Sequence, residues 1–255
     1  IISNTKLNSF IVLNADDKFF NLHQTIAVKN NLKVISFGIK SYKSNIKLIN
    51  ISGLENNFKI KVRINEKEKF FLISDNFKNN IYNILAALAV MSIYIDILKL
   101  DKNIFLNFKI PQGRGDISSL KINNKKINLI DESYNSNPLS LKFAILNYDK
   151  INPKKFKKYL LLGDMLELGV HSKKLHQSIV PIINKTKIDK VFLKGNKIKS
   201  IFNKIEKSKR GKIFQNKSQI IEFIKNDLDN NDYLMIKASN GTGFNKMVND
   251  LKGRS

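Results

Sequence analysis

The chain has 255 residues, enough for one large domain or two smaller ones, and its formal net charge is +24. It contains no cysteine, which excludes a disulfide framework and a thiolate metal site and is compatible with the cytoplasm. No apolar run approaches the roughly 18 residues of a membrane span, and no secretory pattern opens the chain. We therefore expect a cytoplasmic protein without a membrane span.

The high positive charge raises nucleic-acid binding as one candidate function, because clustered Lys and Arg neutralise phosphates. Arginine is favoured for bidentate contacts with bases and phosphates, yet only four of the basic residues are Arg, namely Arg63, Arg114, Arg210 and Arg254. The lysines are scattered through every segment. We favour a solvated basic surface and expect no nucleic-acid partner, and nucleic-acid binding stays as the alternative from a different class.

The first hundred residues predict strands and helices in mixed order. A strand over 9–14 ends in Ala15-Asp16-Asp17, a helix follows to about Asn30, and a second strand covers 34–38. For the aspartates, a turn with an N-cap Asp is favoured over a catalytic role. Residues 46–74 alternate as in a β-meander, with turns at 56–57 and 65–67.

A long helix is predicted next, over residues 79–99. Its apolar spacing places four side chains on the buried face, namely Ile84, Leu88, Met91 and Ile95. A linker containing Arg114 between two glycines, PQGRG at 111–115, then separates this part from the remainder.

The second half alternates regularly between strands and helices. Strands are predicted at 127–130, 159–163, 190–193, 212–215 and 233–237, with helices between them that include 172–184 and 218–228. We expect Pro181 to kink or shorten the first of these helices. Five such alternations predict a mostly parallel, doubly wound α/β sheet, in which ligands bind beyond the carboxyl ends of the strands.

Polar segments stand at those strand ends. The first is DESYNSNP at 131–138, where Asn137 suits the N-cap of the next helix and Pro138 its first position. By spacing alone, a capped polar loop and a ligand-binding loop are both compatible with it. The others are GDMLELG at 163–169 and KASNGTG at 237–243. The three histidines, at 23, 171 and 176, form no metal-ligand pattern.

These segments resemble motifs of the Mur ligase family. DESYNSNP resembles the D-[DE]-[SA]-Y-N-A-N-P signature of the Mur ligases that add D-alanyl-D-alanine to the peptidoglycan precursor. GDMLELG, with His171, Ser172 and His176 after it, is similar to their G-D-M-x-E-L-G-x-x-S…H segment. Residues 111–114 resemble P-x-G-R. Residues 79–87 resemble [GR]-x-H-N-x-x-N-x-L-A-A, with Asn79 where His is usual, and Ala238 departs from a K-G-S motif.

The resemblance implies a fold and a boundary. We expect a partial Mur ligase central domain over 1–110 and a Rossmann-like, doubly wound C-terminal domain over 111–255. No G-x-x-x-x-G-K-[ST] phosphate loop occurs in the sequence. Ile1-Ile2 resembles the residues just after the lysine of that missing part. We therefore expect the chain to be the C-terminal portion of a ligase, inactive alone, with the magnesium ligands mostly upstream.

The resemblance also implies an activity. The family member would join D-alanyl-D-alanine to UDP-N-acetylmuramoyl-tripeptide through an acyl phosphate, with ATP and Mg²⁺ as cofactors, and we expect a monomer. Another amide ligase of the superfamily, of the folylpolyglutamate type, is the nearest alternative. The implied nucleotide-binding residues are Asn80, Asn83, Arg114, Asp131, Glu132 and Tyr134, and the implied substrate-binding residues are Asn135, Asn137, Asp164, Glu167, Lys237 and Ser239. For Asp164 and Glu167, loop capping is the open alternative. No catalytic residue or metal ligand is assigned to this chain.

Overall fold

The computed structural model describes residues 2–55, 57–74, 77, 80–108, 110–153 and 155–253. Ile1 and Asn79, which entered the sequence predictions, lie outside the described residues. The chain forms two compact units, Ile1–Lys109 (unit 1) and Ile110–Ser255 (unit 2). Within the described ranges, no helix is both long and apolar enough to cross a membrane.

In its described residues, unit 1 contains five strands and two α-helices, namely β1 Phe10–Asn14, α1 Phe20–Lys29, β2 Lys33–Gly38, β3 Ile46–Gly53, β4 Asn57–Ile64, β5 Lys67–Ser74 and α2 Ile81–Met91. The strands form one sheet in the order β1-β2-β3-β4-β5. Strands β1, β2 and β3 pair in parallel, and β3, β4 and β5 form the predicted antiparallel meander. The turn between β4 and β5 contains Asn65 at φ 53°, a conformation that Asn tolerates better than most residues.

Helix α2 is shorter than predicted. Ile84 and Leu88 are buried against the sheet as expected, but the helix ends at Met91 and Ile95 is 46% exposed. The Asp96 carboxylate accepts a hydrogen bond from the Leu98 backbone N–H and caps a short 3₁₀ helix at Ile97–Lys99. Asp competes in this way with helical hydrogen bonding, so the apolar period continued beyond the point where the helix stops.

Asp16 does not cap helix α1, contrary to the sequence interpretation. The N-cap is Phe19, which forms no side-chain cap. The Asp16 carboxylate instead accepts hydrogen bonds from the backbone N–H groups of residues 39, 40 and 41 and from the Tyr82 hydroxyl. Burial raises the pKa of the Asp16 carboxyl, but these four donors outweigh it and hold the pKa below its ordinary value.

The strands and α-helices of unit 2 are β6 Asp116–Ile122, β7 Lys125–Glu132, α3 Pro138–Lys150, β8 Lys158–Gly163, α4 Ser172–Gln177, α5 Val180–Lys185, β9 Lys190–Lys194, β10 Arg210–Ile213, α6 Lys217–Asn226, β11 Tyr233–Lys237 and α7 Phe244–Leu251. The strands form one sheet in the order β10-β9-β8-β11-β7-β6, parallel except for the β6–β7 hairpin. Alternate residues of β8 face opposite sides, since Leu160 and Leu162 belong to one apolar core and Tyr159 and Leu161 to another. Helices cover both faces, which confirms the predicted doubly wound α/β architecture.

Three details of unit 2 differ from, or add to, the sequence predictions. Pro181 lies at the start of α5, and the predicted helix over 172–184 is divided into α4 and α5, as expected from proline. Strand β10 begins and ends two residues before the predicted 212–215. Strand β6 was missed, because it is an edge strand in which Ile117 is 62% exposed and the apolar alternation is weak.

Candidate functional site

Three polar loops meet at the carboxyl edge of the unit 2 sheet, after β7, β8 and β11. Ser239, which follows β11, holds them together. Its hydroxyl donates to the Ser136 carbonyl at 3.1 Å and accepts from the Leu166 N–H at 3.0 Å, and its own N–H donates to the Asp164 carbonyl at 3.1 Å. The sheet therefore brings together the three segments that the sequence singled out, at the edge where open α/β sheets bind ligands.

Arg114 and Tyr134 form an exposed pair at this edge. The Arg114 guanidinium carbon lies 4.4 Å from the centre of the Tyr134 ring, a cation–π contact. The backbone fixes both residues, because the Tyr134 N–H donates to the Gly113 carbonyl at 3.0 Å. Gly113 has φ +74°, and a Cβ there would lie 2.8 Å from Tyr134 backbone and side-chain atoms. A planar cation stacked on a phenol ring is suited to binding phosphates and planar heterocycles.

The two acidic residues that end β7 have different environments. The Asp131 side chain is fully buried, and its carboxylate accepts from Lys252 Nζ at 2.7 Å and from the Ser133 hydroxyl at 2.5 Å. The Glu132 side chain is 23% exposed and pairs with Lys237 at 3.1 Å. A buried carboxylate with its oxygens already bonded is poorly placed for a ribose hydroxyl. The geometry therefore supports Glu132, and not Asp131, as the accessible acid.

Lys237 and Ser239 are buried residues of the loop framework. The Lys237 side chain is 1% exposed, and its ammonium donates to Glu132 and to the Asn135 carbonyl, the latter at 2.9 Å. Ser239 is 4% exposed. Both groups therefore join the β7 and β11 loops and present little surface of their own.

Asp164 has the loop-capping role that was left open. Its carboxylate accepts from the backbone N–H groups of residues 196, 197 and 198, which follow β9. Gly195 has φ +146°, and a Cβ there would lie 2.3 Å from the Asp164 carboxylate. Glu167, by contrast, is exposed and has φ 62°, a conformation uncommon for a residue with a long side chain.

The two asparagines of the β7 loop also differ. Asn137 caps helix α3 as predicted, and its side chain forms a capping box with Ser140. Asn135 is exposed, and its side-chain oxygen accepts from the Ser136 N–H at 2.7 Å. Its amide nitrogen is the part of this loop best placed to meet a ligand.

The candidates of unit 1 lie at the start of helix α2. The Asn83 amide donates to the Asn80 side-chain oxygen at 3.0 Å, and Asn83 is exposed. Asn80 occupies the N-cap position but forms no side-chain cap. Its amide is therefore not committed to the helix end.

Sequence reasoning missed two residues that support the unit 2 site, Asp116 and Lys252. Lys252 Nζ lies 2.8 Å from Asp116 and 2.7 Å from Asp131. No motif or spacing signals this cluster, because Lys252 is 121 positions from Asp131 and 136 from Asp116.

His176 is buried, and both of its ring nitrogens are bonded within the protein. Its Nε2 accepts from the Met165 N–H at 3.0 Å, and its Nδ1 lies 2.7 Å from the Ser172 carbonyl oxygen. Across the described part of the chain, no three His, Asp or Glu side chains gather into a group that could hold a metal ion.

Comparisons with known proteins agree with the sequence motifs. The profile of the Mur ligase middle domain matches residues 1–91, and that of the Mur ligase glutamate ligase domain matches residues 118–240. The chain is 29% identical over 254 residues to the UDP-N-acetylmuramoyl-tripeptide–D-alanyl-D-alanine ligase of Rickettsia prowazekii, covering 97% of this chain and 54% of that protein. It is 32% identical over 261 residues to the ligase of the same name from Buchnera aphidicola, covering 98% and 53%.

Solved structures show the same fold. MurF from Acinetobacter baumannii superposes with a TM-score of 0.72 at 18% identity, covering 96% of this chain and 52% of that one. The MurF ligase from Thermotoga maritima, solved in complex with ADP, gives 0.72 at 19% identity, covering 100% and 56%. The chain spans about half the length of the curated relatives that it matches. On the two domain profiles and these relatives, the chain belongs to the Mur ligase family.

Proposed function

We propose that this chain is the nucleotide- and dipeptide-binding part of an ATP-dependent ligase that joins D-alanyl-D-alanine to UDP-N-acetylmuramoyl-tripeptide. The observation that carries the proposal is the meeting of the β7, β8 and β11 loops at one sheet edge through Ser239. Those loops contain the family motifs, and the curated relatives named above are all ligases of this specificity. The units Ile1–Lys109 and Ile110–Ser255 would correspond to the middle and C-terminal domains.

On this proposal, Arg114, Tyr134 and Glu132 bind the nucleotide. Arg114 donates to phosphate oxygens, because a guanidinium supplies several N–H donors in one plane. The Tyr134 ring, which is 41% exposed, packs on the base or the ribose, and Glu132 accepts hydrogen bonds from ribose hydroxyls. Asp131 acts as a positioning residue, since its carbonyl accepts a hydrogen bond from the Gly115 N–H next to Arg114. Asn80 and Asn83 belong to unit 1, and their proposal as nucleotide contacts rests separately on the resemblance of residues 79–87 to the family motif.

The dipeptide would use the exposed polar groups of the same edge. Asn135 offers an amide donor to a carboxylate or carbonyl, and Glu167 offers an anion to an ammonium group. Asn137, Asp164, Lys237 and Ser239 act by holding the loops, since their polar groups are bonded within the protein. On this proposal, two of the six substrate-binding residues implied by the motifs contact the dipeptide, and the other four position the loops.

Bound ATP would supply the phosphoryl group that activates the substrate carboxylate, and such a transfer depends on neutralising phosphate charge. Arg114 supplies one fixed cation for this purpose. Magnesium prefers carboxylate and water oxygens, but the described residues contain no group of three acidic or imidazole side chains.

The proposal is tested with the product of the complete reading frame. We expect phosphate release from ATP only when UDP-N-acetylmuramoyl-tripeptide and D-alanyl-D-alanine are both present. Replacing the dipeptide with L-glutamate and the nucleotide precursor with a folate distinguishes the folylpolyglutamate-type alternative. A gel shift on duplex and single-stranded oligonucleotides at two salt concentrations tests the nucleic-acid alternative. Release that is independent of the dipeptide would overturn the assignment.

A further inference from the structure

A buried cluster of three charges lies behind the exposed Arg114–Tyr134 pair. Lys252 follows helix α7, and its side chain is 3% exposed. Its ammonium contacts two carboxylates, Asp116 at 2.8 Å and Asp131 at 2.7 Å, whose side chains are 19% and 0% exposed. One cation thus compensates two acids in a poorly hydrated environment, where charge–charge interactions are strong.

The two acids also hold the backbone on either side of Arg114. The Asp116 carboxylate accepts from the Gly113 N–H at 2.8 Å, and the Asp131 carbonyl accepts from the Gly115 N–H at 2.7 Å. Gly113 and Gly115 both have positive φ, at +74° and +95°, so their backbone conformations are not those of an ordinary extended linker. Lys252 therefore bonds the two residues that fix the turn presenting Arg114.

The same turn also fixes Tyr134, the residue that stacks on Arg114. The Gly113 carbonyl accepts from the Tyr134 N–H, and Asn245 of α7 donates to the Ser133 hydroxyl at 3.4 Å. Ser133 donates to the second oxygen of Asp131. A set of hydrogen bonds thus runs from Lys252 through Asp131 and Asp116 to the glycines on either side of Arg114, and from Gly113 to the Tyr134 backbone.

We propose that Lys252 is a positioning residue for nucleotide binding, acting through Asp116 and Asp131 to hold Arg114 against Tyr134. This inference rests on the proposed function, because it takes the Arg114–Tyr134 pair to be the nucleotide contact. Without Lys252, the carboxylates of Asp116 and Asp131 face each other with no cation between them. Asp116 is the more exposed of the two and turns outward to water, and the Gly113 N–H loses its acceptor. Arg114 then samples many orientations, and nucleotide binding must restrict them.

The first measurement observes the pair without any ligand. The sequence has only four arginines, so the Nε–Hε signals in a ¹⁵N correlation spectrum of the full chain are few and assignable. The ring current of Tyr134 shifts the Arg114 signal, and Tyr134→Leu gives the unstacked reference. We expect the Lys252→Met signal to move to the Tyr134→Leu position. Lys246→Met changes an exposed lysine of the preceding helix α7, and this matched control keeps the stacked position.

The second measurement is the Kd for ADP, obtained by titration of the same samples. We expect about a tenfold weaker Kd for Lys252→Met, which corresponds to about 1.4 kcal/mol. In an Arg114→Ala background, Lys252→Met should change the Kd by less than twofold, because the two substitutions remove the same contact. A general loss of stability would instead weaken binding equally in both backgrounds.

A second variant keeps the test valid where Lys252→Met does not fold. Asp116→Ala removes the acceptor of the Gly113 N–H but leaves Lys252 paired with Asp131. It should move the Arg114 signal to the unstacked position and weaken the Kd for ADP, as Lys252→Met does. A stacked Arg114 signal in either folded variant, or fully multiplicative effects in the double variant, would overturn the inference. The unsubstituted chain could bind no ADP while the Arg114 signal still depends on Lys252. In that case the proposed function fails, but the inference that Lys252 positions Arg114 stands.

Discussion

Lys237 and Glu132 face each other across the neighbouring strands β11 and β7, and their Nζ and Oε2 atoms are 3.1 Å apart. The pair is asymmetric, because the Lys237 side chain is 1% exposed and the Glu132 side chain is 23% exposed. Water can reach the Glu132 carboxylate and cannot reach the Lys237 ammonium group. The consequence of breaking the pair therefore depends on which member is removed.

Glu132→Ala should destabilise the chain more than Lys237→Met. Removing Glu132 leaves a buried ammonium with the Asn135 carbonyl as its remaining partner, a loss expected to cost about 3 kcal/mol. Removing Lys237 leaves a carboxylate that water can solvate, so the cost should be nearer 1 kcal/mol. Urea unfolding curves of the two variants check the order. A larger loss of unfolding free energy for Lys237→Met than for Glu132→Ala would contradict the inference that water reaches Glu132 and not Lys237.

Two serines near the site provide a second comparison. The Ser136 hydroxyl is buried and has no hydrogen-bond partner among the described residues, whereas the Ser133 hydroxyl bonds Asp131. Ser136 also stands where the family motif has Ala. We expect Ser136→Ala to be neutral or to stabilise by up to about 1 kcal/mol, and Ser133→Ala to cost about 1–3 kcal/mol. Equal effects on the free energy of unfolding would contradict this.

Ala238, the departure from the family's K-G-S motif, packs against Gly163 of β8. A Cβ at Gly163 would lie 2.6 Å from the Ala238 Cβ and 2.7 Å from the Phe244 ring. Gly163→Ala should therefore cost about 1–3 kcal/mol by overpacking. Ala238→Gly in the same chain should recover part of that loss, because it removes one of the two close contacts. The recovery is measured as a coupling energy in a double-mutant cycle, and strict additivity would exclude the contact.

The sequence was most informative where local chemistry determines the structure. The Asn137 cap and Pro138 start of α3 were predicted from neighbouring residues and are confirmed, because capping involves atoms within one turn of chain. Strand β11 has its predicted bounds, since its apolar run is flanked by polar residues at both ends. The family motifs identified the loops, and the alternation of strands and helices identified the sheet.

The sequence was least informative about which polar residues remain accessible. Asp131 and Glu132 are adjacent and chemically alike, yet strand alternation turns one toward Lys252 and the other toward Lys237. For Asp164 the sequence leaves substrate binding and loop capping open, and its carboxylate bonds backbone N–H groups more than 30 positions away. Such partners are set by the packing of distant strands, and no local pattern contains that information.

The Asp16 carboxylate predicts a pH dependence of stability in unit 1. Its pKa is lowered in the folded chain, so it contributes stability that is present above the pKa of the unfolded state and is lost as the pH falls through the folded pKa. The ordinary pKa of an Asp side chain is 3.8, which places the loss of stability below about pH 4. Asp16→Asn should therefore lower the free energy of unfolding at pH 6, and its difference from the unsubstituted chain should shrink toward pH 3. A constant difference would contradict the prediction.

Substitutions of Arg114, Glu132 and Asp131 in the complete gene product should have three different effects, two on the kinetics and one on stability. On the proposed function, Arg114→Ala removes a cation that would contact the phosphates, and kcat/KM should fall by about 10²–10³-fold, as for loss of one electrostatic donor. Glu132→Gln should mainly raise the KM for ATP, because a ribose contact stabilises the bound nucleotide and the transition state alike. Asp131→Ala should lower the melting temperature, because its carboxylate is buried against Lys252 and its removal leaves that ammonium with Asp116 alone. Lys246→Ala, an exposed change on α7, is the control for all three and should leave kcat and KM unchanged. A raised KM for Asp131→Ala at unchanged stability, with no effect of Glu132→Gln, would return the ribose contact to Asp131.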